Sequence, residues 1–322
     1  MNAAKYILAR EWGFGFWSDM SHIFAVLLVA EITGRIPIIY WGNNSLFRDL
    51  GDGKDNNAFD RFWERLNRAS IHDFKHRDVT FYPHDWDADK FMSDIPSNAE
   101  NRHVRSTGEE FLDQDEDVIV STRHFDLMGL VKYLPANSTL AGASVAEIYQ
   151  KLWQNQLRPR SRIVRRVQSF IDENLSGVQY VSVHARGSDK IDEVGDGLTL
   201  VKDYYFDILD PIKMKPDWRI FVLTESDILL NQFRYRYGDQ VVATDSHRTS
   251  GNIGIHYLNN IAGGVLGEEV LADTLIALEG DRFIGNGLSN VSCAIDVFKD
   301  WQPGESGLIV ANQWTHVANS GT

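Results

Sequence analysis

From Tyr180 to Gly285 short apolar runs alternate with helix-length stretches, and this alternation constrains the fold more than any other feature of the chain. It predicts strands at Tyr180–Arg186, Arg219–Thr224, Gln240–Thr244 and Arg282–Gly285, with helices at Lys202–Leu209, Asp227–Tyr237 and Leu266–Glu279 between them. Strands separated by helices make a parallel α/β sheet, because a parallel crossover needs a connection of helical size. The chain opens in the same way. Tyr6–Ala9 reads as a strand, Trp12-Gly13-Phe14-Gly15-Phe16-Trp17 as a glycine turn, and Ile36–Trp41 as the next strand. The intervening helix, capped by Ser18 or Ser21 and ended by Gly34, is apolar nearly all round and so belongs under a sheet.

A chain of 322 residues holds about two domains at roughly 100–200 residues each. The expectation is an α/β protein of two Rossmann-like domains facing a cleft, 1–176 and 177–322, divided between Pro159 and the Ser176-Gly177 turn. Residues 42–117 are polar and acidic with isolated aromatics, and show little beyond a strand at Val79–Tyr82. Val118–Ser121 reads as a strand, and Val145–Leu157 and Arg160–Leu175 as helices.

The net charge is −13, from 45 acidic and 32 basic side chains, which disfavours a broad surface for nucleic acid or anionic lipid. Of successive 50-residue windows only 151–200 sums positive, at +2, and it owes this more to Arg158, Arg160, Arg162, Arg165 and Arg166 than to Arg186. That arginine run is expected to be a solvated helix face, or a contact for an anionic or lipid-linked acceptor. Cys293 is the single cysteine, so no internal disulfide forms, and a reducing compartment fits. The longest uncharged apolar run, Ile23–Ala30, has eight residues against the roughly 20 that span a bilayer. No transmembrane segment or secretory signal is expected, and the protein is placed in the cytoplasm, free or peripheral at the inner face of the membrane.

Chemistry concentrates at strand ends. In Tyr180–Lys190, Val181, Val183 and Ala185 share one face, and Ser182, His184 and Arg186 share the other. His184 and Arg186 thus reach the C-terminal end of their strand, the edge that borders the ligand crevice in open α/β sheets. An Arg there suits a phosphate; an ion pair between Arg186 and Asp189 is the plainer alternative. Thr224-Glu225-Ser226 brings hydroxyls and a carboxylate to the next strand end, where either hydroxyl also suits a helix cap. Asp273 interrupts the apolar face of its helix and needs a partner, such as the N1 and N2 donors of guanine or a local Arg or amide. Gly285-Asn286-Gly287-Leu288-Ser289-Asn290-Val291-Ser292 runs through glycines into a helix start, whose free amides and hydroxyls make a phosphate cradle.

Taken together, His184-x-Arg186-x-x-Asp189, Thr224-Glu225-Ser226, Asp273 and Phe283-Ile284-Gly285-Asn286-x-x-Ser289-x-x-Ser292 resemble, in order and spacing, the fucosyltransferase superfamily. This family includes α1,6-fucosyltransferases of glycan cores and Nod factors and the protein O-fucosyltransferases. The resemblance covers 180–298, recurs at Gly13-Phe14-Gly15 with the helix to Gly34-Arg35, and is not evident over 42–150. It implies a GT-B fold and inverting, metal-independent transfer of fucose from GDP-fucose to a glycan hydroxyl. It also implies that Arg186 binds the β-phosphate of the leaving group, that His184 and Asp273 contact the guanosine, and that Ser289, Asn290, Val291 and Ser292 hold the pyrophosphate. The turn holding Gly13 and Gly15 would close over the donor. Asp192 and Glu193 lie near the place of the family's candidate base, with Glu193 preferred. Two positions depart from the pattern: Gly187 stands where the α1,6 enzymes carry a second Arg, and Phe16-Trp17 replaces the expected Asn or Gln after Gly15.

Other readings are weaker. Asp85-x-Asp87-x-Asp89 resembles the metal-binding Asp-x-Asp of a GT-A transferase, and His72 and His76 have metal-ligand spacing, but acidic clusters and surface histidines are common in acidic loops. A nicotinamide dehydrogenase is disfavoured by Ser18 in place of the third glycine and by the lack of an acid after Ile38-Ile39-Tyr40-Trp41. There is no Gly-x-Ser-x-Gly elbow. Transfer of another GDP-sugar, or a catalytically silent nucleotide-sugar-binding protein, are the alternatives to fucosyl transfer.

Overall fold

The computed structural model describes residues 4–49, 56–75, 77–93, 105–186, 201–213, 215–251, 254–255 and 261–316. The chain forms two compact units, residues 1–160 with 262–264 and residues 161–261 with 265–322. The division falls at Arg160, ahead of the expected 176, because the helix that follows belongs to the second unit. It sets Phe170 against Phe221 of the second sheet, ring centroids 5.7 Å apart.

The first unit runs β1 (Tyr6–Arg10), α1 (Phe16–Thr33), β2 (Ile36–Tyr40), α2 (Phe59–Phe62), β3 (Phe81–Tyr82), α3 (Ala88–Met92), β4 (Arg105–Ser106), β5 (Val118–Ser121), β6 (His124–Phe125) and α4 (Val145–Gln156). Four strands form a parallel sheet in the order β2-β1-β5-β3, with Leu8 level with Ile38 on one side and Val120 on the other. Gly15, and neither Ser18 nor Ser21, is the N-cap of α1; the Ser21 hydroxyl donates inside the helix to Ser18 O at 2.8 Å. The helix starts early because Phe16 and Trp17 are core residues, 3% and 1% exposed. Gly34 ends it in the left-handed region, φ 69°, with its amide on Ala30 O. By length and composition α1 could cross a membrane, with a mean hydropathy of 1.3 over 18 residues, yet 78% of that stretch is buried inside the protein. Such burial is what a helix covering a parallel sheet requires.

The aromatics of 42–117 explain how a segment without periodicity folds. The Phe16 ring lies 5.6 Å from Trp41, 5.3 Å from Phe47 and 5.2 Å from Phe62, mostly edge to face. Trp63 is fully buried, with Trp153 of α4 at 5.6 Å and Trp17 at 6.4 Å. Trp63→Ala is expected to destabilise the protein by about 3–5 kcal/mol, the usual cost of emptying a large aromatic site. Urea unfolding measures this; a loss under about 1 kcal/mol would show that the cluster repacks freely.

The second unit runs α5 (Ser161–Asn174), β7 (Gln179–His184), α6 (Val201–Lys213), β8 (Trp218–Leu223), α7 (Asp227–Tyr237), β9 (Val241–Val242), α8 (Gly263–Glu279), β10 (Arg282–Gly285), α9 (Asn290–Phe298) and β11 (Ser306–Leu308). Its strands are all parallel, in the order β11-β10-β7-β8-β9. The chain moves outward from β7 in one direction and then returns to add β10 on its other flank, so the switch point lies between β7 and β10. Val181 and Val183 pack with Leu209, Ile220, Val222, Leu230 and Phe233 in the core. β9 is shorter than the predicted Gln240–Thr244 because a 3-10 turn takes Gly238–Gln240 and the Thr244 side chain is drawn towards α8.

Candidate functional site

The C-terminal edge of the second sheet gathers most of the predicted residues. The period of two holds along β7: opposite the valines, Ser182 donates to Ala277 O of α8 at 3.1 Å, and His184 meets α9. His184 Nδ1 is 2.7 Å from Ser292 Oγ, which accepts the Asn286 amide at 3.0 Å. Burial pushes His184 down to about 4, outweighing Glu225, which raises it, and the ring is neutral at pH 7. Ser292 Oγ is thus shared between the Asn286 amide and the His184 ring, which fixes the orientation of the imidazole. Ser292 is fully buried and its hydroxyl is bonded to His184, which leaves its backbone amide as the group that can meet an anion.

Arg186 follows two residues on. Its guanidinium lies 3.4 Å from Glu225 at the end of β8, with side chains 18% and 10% exposed. Glu225 therefore neutralises Arg186 in a poorly solvated place. The neighbouring hydroxyls serve their own backbone: Ser226 caps α7 by accepting the Leu229 amide at 3.3 Å, and Thr224 accepts the Ser226 amide at 3.2 Å. Glu225 is thus the member of this triplet whose side chain pairs with Arg186.

Beyond β10 the chain turns through Gly287, where a Cβ would meet Val310 O and Ala311 O at 2.3 Å. No larger residue fits there without moving the backbone. Ser289 is the N-cap of α9, buried, with no side-chain cap bond, so its hydroxyl is not spent on the helix. The first-turn amides of Asn290, Val291 and Ser292 have no acceptor within the helix, which makes this end attractive to an anion. The Asn290 side chain instead binds the C-terminal segment, its Oδ1 accepting from Gln313 and from the Trp314 indole, both at 2.9 Å. Cys293, behind this turn, is buried and its thiol is pushed up to about 12.

Asp273 stands on α8, half-buried. Its Oδ1 accepts from Thr244 Oγ1 at 2.8 Å, and Ser246 Oγ lies 3.3 Å away. Burial pushes its carboxyl up to about 6, against the opposing pull of these hydroxyls and of Arg248 and Arg166. Glu269, one helical turn earlier, binds His247 twice, at the amide (3.1 Å) and at Nδ1 (2.7 Å). Residues 244–248 are therefore laid along α8. They continue to Thr249, whose amide donates to Glu225 O at 2.8 Å. This segment escaped the sequence reading, because Thr-Asp-Ser-His-Arg-Thr carries no periodicity.

Glycines 13 and 15 lie in the first unit. Gly13 has φ +67°, where a Cβ would sit 3.0 Å from Asn44 O, and Gly15 caps α1. Two buried carboxylates hold this turn: Glu11 accepts the amides of Gly42 and Asn44, both at 3.0 Å, and Asp19 accepts that of Phe14 at 3.3 Å. Burial raises both carboxyls. Asp19 on an apolar helix gives the same signal as Asp273. Phe16 and Trp17, at the departure from the family pattern, point into the core.

Asp192 and Glu193, the base candidates, and Asp189, the alternative partner of Arg186, lie outside the described residues, as does His76. The acidic triplet has structural employment: Asp87 caps α3 by accepting the Lys90 amide at 2.7 Å, and Asp85 pairs with Lys90. Among the described residues no group of three His, Cys, Asp or Glu could hold a metal ion. The arginine run is partly tied down, with Arg160 on Asp60 O at 2.7 Å, Arg162 on Glu268 at 2.6 Å and Arg166 on Asp245 at 3.2 Å.

No protein-family model matches the chain, and no curated protein matches its sequence. Among solved structures it is similar to the fucosyltransferase NodZ from Bradyrhizobium, with 17% identity and a TM-score of 0.61, over 92% of this chain and 94% of that one. NodZ is an α1,6-fucosyltransferase that has been soaked with GDP-fucose. A variant of Arabidopsis thaliana FUT1 in complex with GDP is 12% identical at a TM-score of 0.57, over 98% of this chain and 72% of that one. Apo POFUT1 is 13% identical at a TM-score of 0.50, over 96% and 99%. The parallel sheets of the two units and this likeness along nearly the whole chain give the protein the α/β, GT-B fold of these transferases.

Proposed function

We propose that the chain is an inverting glycosyltransferase that moves fucose from GDP-fucose to a glycan hydroxyl without a metal ion. The observation that carries this reading is that the end of β7, at the switch point of a parallel sheet, brings His184 against the first turn of α9 and is followed by Arg186, paired with Glu225 at the end of β8. The acceptor oxygen attacks the anomeric carbon while the bond to the β-phosphate breaks, and the electron pair leaves on the phosphate oxygen. Arg186 and the first-turn amides of α9 stabilise that charge, work that a metal does in other transferases. The acceptor proton passes to a carboxylate, Glu193 or Asp192. Asp273 and His184 face the guanosine. The acidic chain disfavours a polyanionic acceptor, and a lipid-linked oligosaccharide at the cytoplasmic face of a membrane is the acceptor class we favour.

Calorimetric titration in EDTA tests the donor. GDP should bind in the micromolar range, with UDP and dTDP much weaker; a preference for UDP overturns the assignment.

A further inference from the structure

The contacts of Asp273 go beyond what a loop anchor needs. Residues 244–248 are already fixed by charged bonds: Glu269 takes His247 at two atoms, and Arg248 donates to the carbonyls of Ser246 (2.8 Å) and Thr244 (2.9 Å). That bracing turns the hydroxyls of Thr244 and Ser246 to the same side, 2.8 Å from each other. Each hydroxyl has one proton. Thr244 gives its proton to Asp273 Oδ1 at 2.8 Å, and Ser246, 3.3 Å from that oxygen, supports the arrangement by donating to Thr244 Oγ1 or to Oδ1.

We infer that Thr244, backed by Ser246, is a positioning residue for nucleobase recognition: it engages Oδ1 of Asp273 and so fixes the carboxylate with Oδ2 left for a base that presents adjacent N–H donors. The inference rests on the GDP reading above and assigns its base specificity. An oxygen with two lone pairs suits the N1–H and N2–H of guanine, and inosine lacks the second donor. The charged groups around Asp273 are Arg248 and Asp245 on the same segment as Thr244, His247 beside them, Glu269 on α8 and Arg166 on α5. Since burial already holds this carboxyl at about 6, the Thr244 hydroxyl is one of the contacts keeping it ionised at neutral pH.

The test is the affinity of GDP and of IDP for the full chain between pH 5 and 8. The wild type should prefer GDP by at least about tenfold, as for one charge-assisted hydrogen bond, and should lose GDP affinity below about pH 6. Thr244→Val should bring the GDP-to-IDP ratio near one and move the acid limb of GDP binding to higher pH, and Thr244→Ser should restore both. Ser246→Ala, which leaves the His247 and Arg248 anchors in place, should shift both in the same direction by less, and it serves should the valine variant not fold. A GDP-to-IDP ratio and acid limb unchanged in folded Thr244→Val or Ser246→Ala overturn the positioning role. A wild type that binds no GDP overturns the functional reading itself, a different result.

Discussion

Arg186→Lys is expected to lower kcat/KM for the GDP-sugar by about 100-fold or more while leaving the protein folded. The guanidinium lies 3.4 Å from Glu225, and both side chains are largely shielded from water. Truncation to alanine would strand that carboxylate, at a cost of about 3–5 kcal/mol, and any loss of activity would be confounded with instability. Lysine keeps the charge near Glu225 but loses the planar fork that holds two oxygens of a departing phosphate. The loss should fall on kcat more than on KM, because the charge on the leaving group grows as the bond breaks. Steady-state kinetics with a GDP-sugar and thermal melts on the same preparation separate the effects. Near-wild-type turnover would sink the leaving-group role, and a collapsed melting temperature would make the Arg186–Glu225 pair structural.

What could be read from the sequence followed from the range of the interactions involved. The period of two within one strand places His184, and Arg186 follows two residues beyond the end of β7, which stops short of the expected strand limit; Asp273 stands out by the cost of a carboxylate on an apolar helix, and both arguments are local. The bond of the Ser292 hydroxyl to His184 is not legible locally, because the two residues are more than a hundred positions apart in sequence. The 244–249 segment is held on its neighbours by Glu269, Asp273 and Glu225, distant in sequence, so nothing within it signals a site. In the first unit, Trp41, Phe47 and Phe62 find their purpose only against Phe16, which itself stands at a departure from the family motif. Tertiary aromatic packing overrides local pattern there, which is why 42–117 was illegible. Asp19 was within reach: the argument applied to Asp273 applies equally to a buried acid in α1.

Asp273→Asn should make the ligand-free protein more stable at neutral pH and at the same time weaken GDP binding by about 10- to 100-fold. The sign follows from burial. The folded carboxyl is raised from 3.8 to about 6, so its protonated form is favoured by folding. The stability this gives is fully present below about pH 3.8 and is lost as pH rises through about 6. A neutral amide carries no such loss, and its oxygen still accepts the Thr244 hydroxyl. The melting temperature of the variant should therefore exceed that of the wild type at pH 7.5, and the difference should close towards pH 4. Binding moves in the opposite direction. With its oxygen on Thr244, the amide nitrogen faces the N–H donors of guanine; flipped, it offers a carbonyl without charge. A protein that is more stable yet binds GDP poorly marks a residue kept for its ligand at the expense of the fold. If Asp273→Asn instead melts lower at pH 7.5 and holds GDP unchanged, then Asp273 serves Thr244, Ser246 and Arg248 as an internal anchor, and the guanosine contact belongs elsewhere.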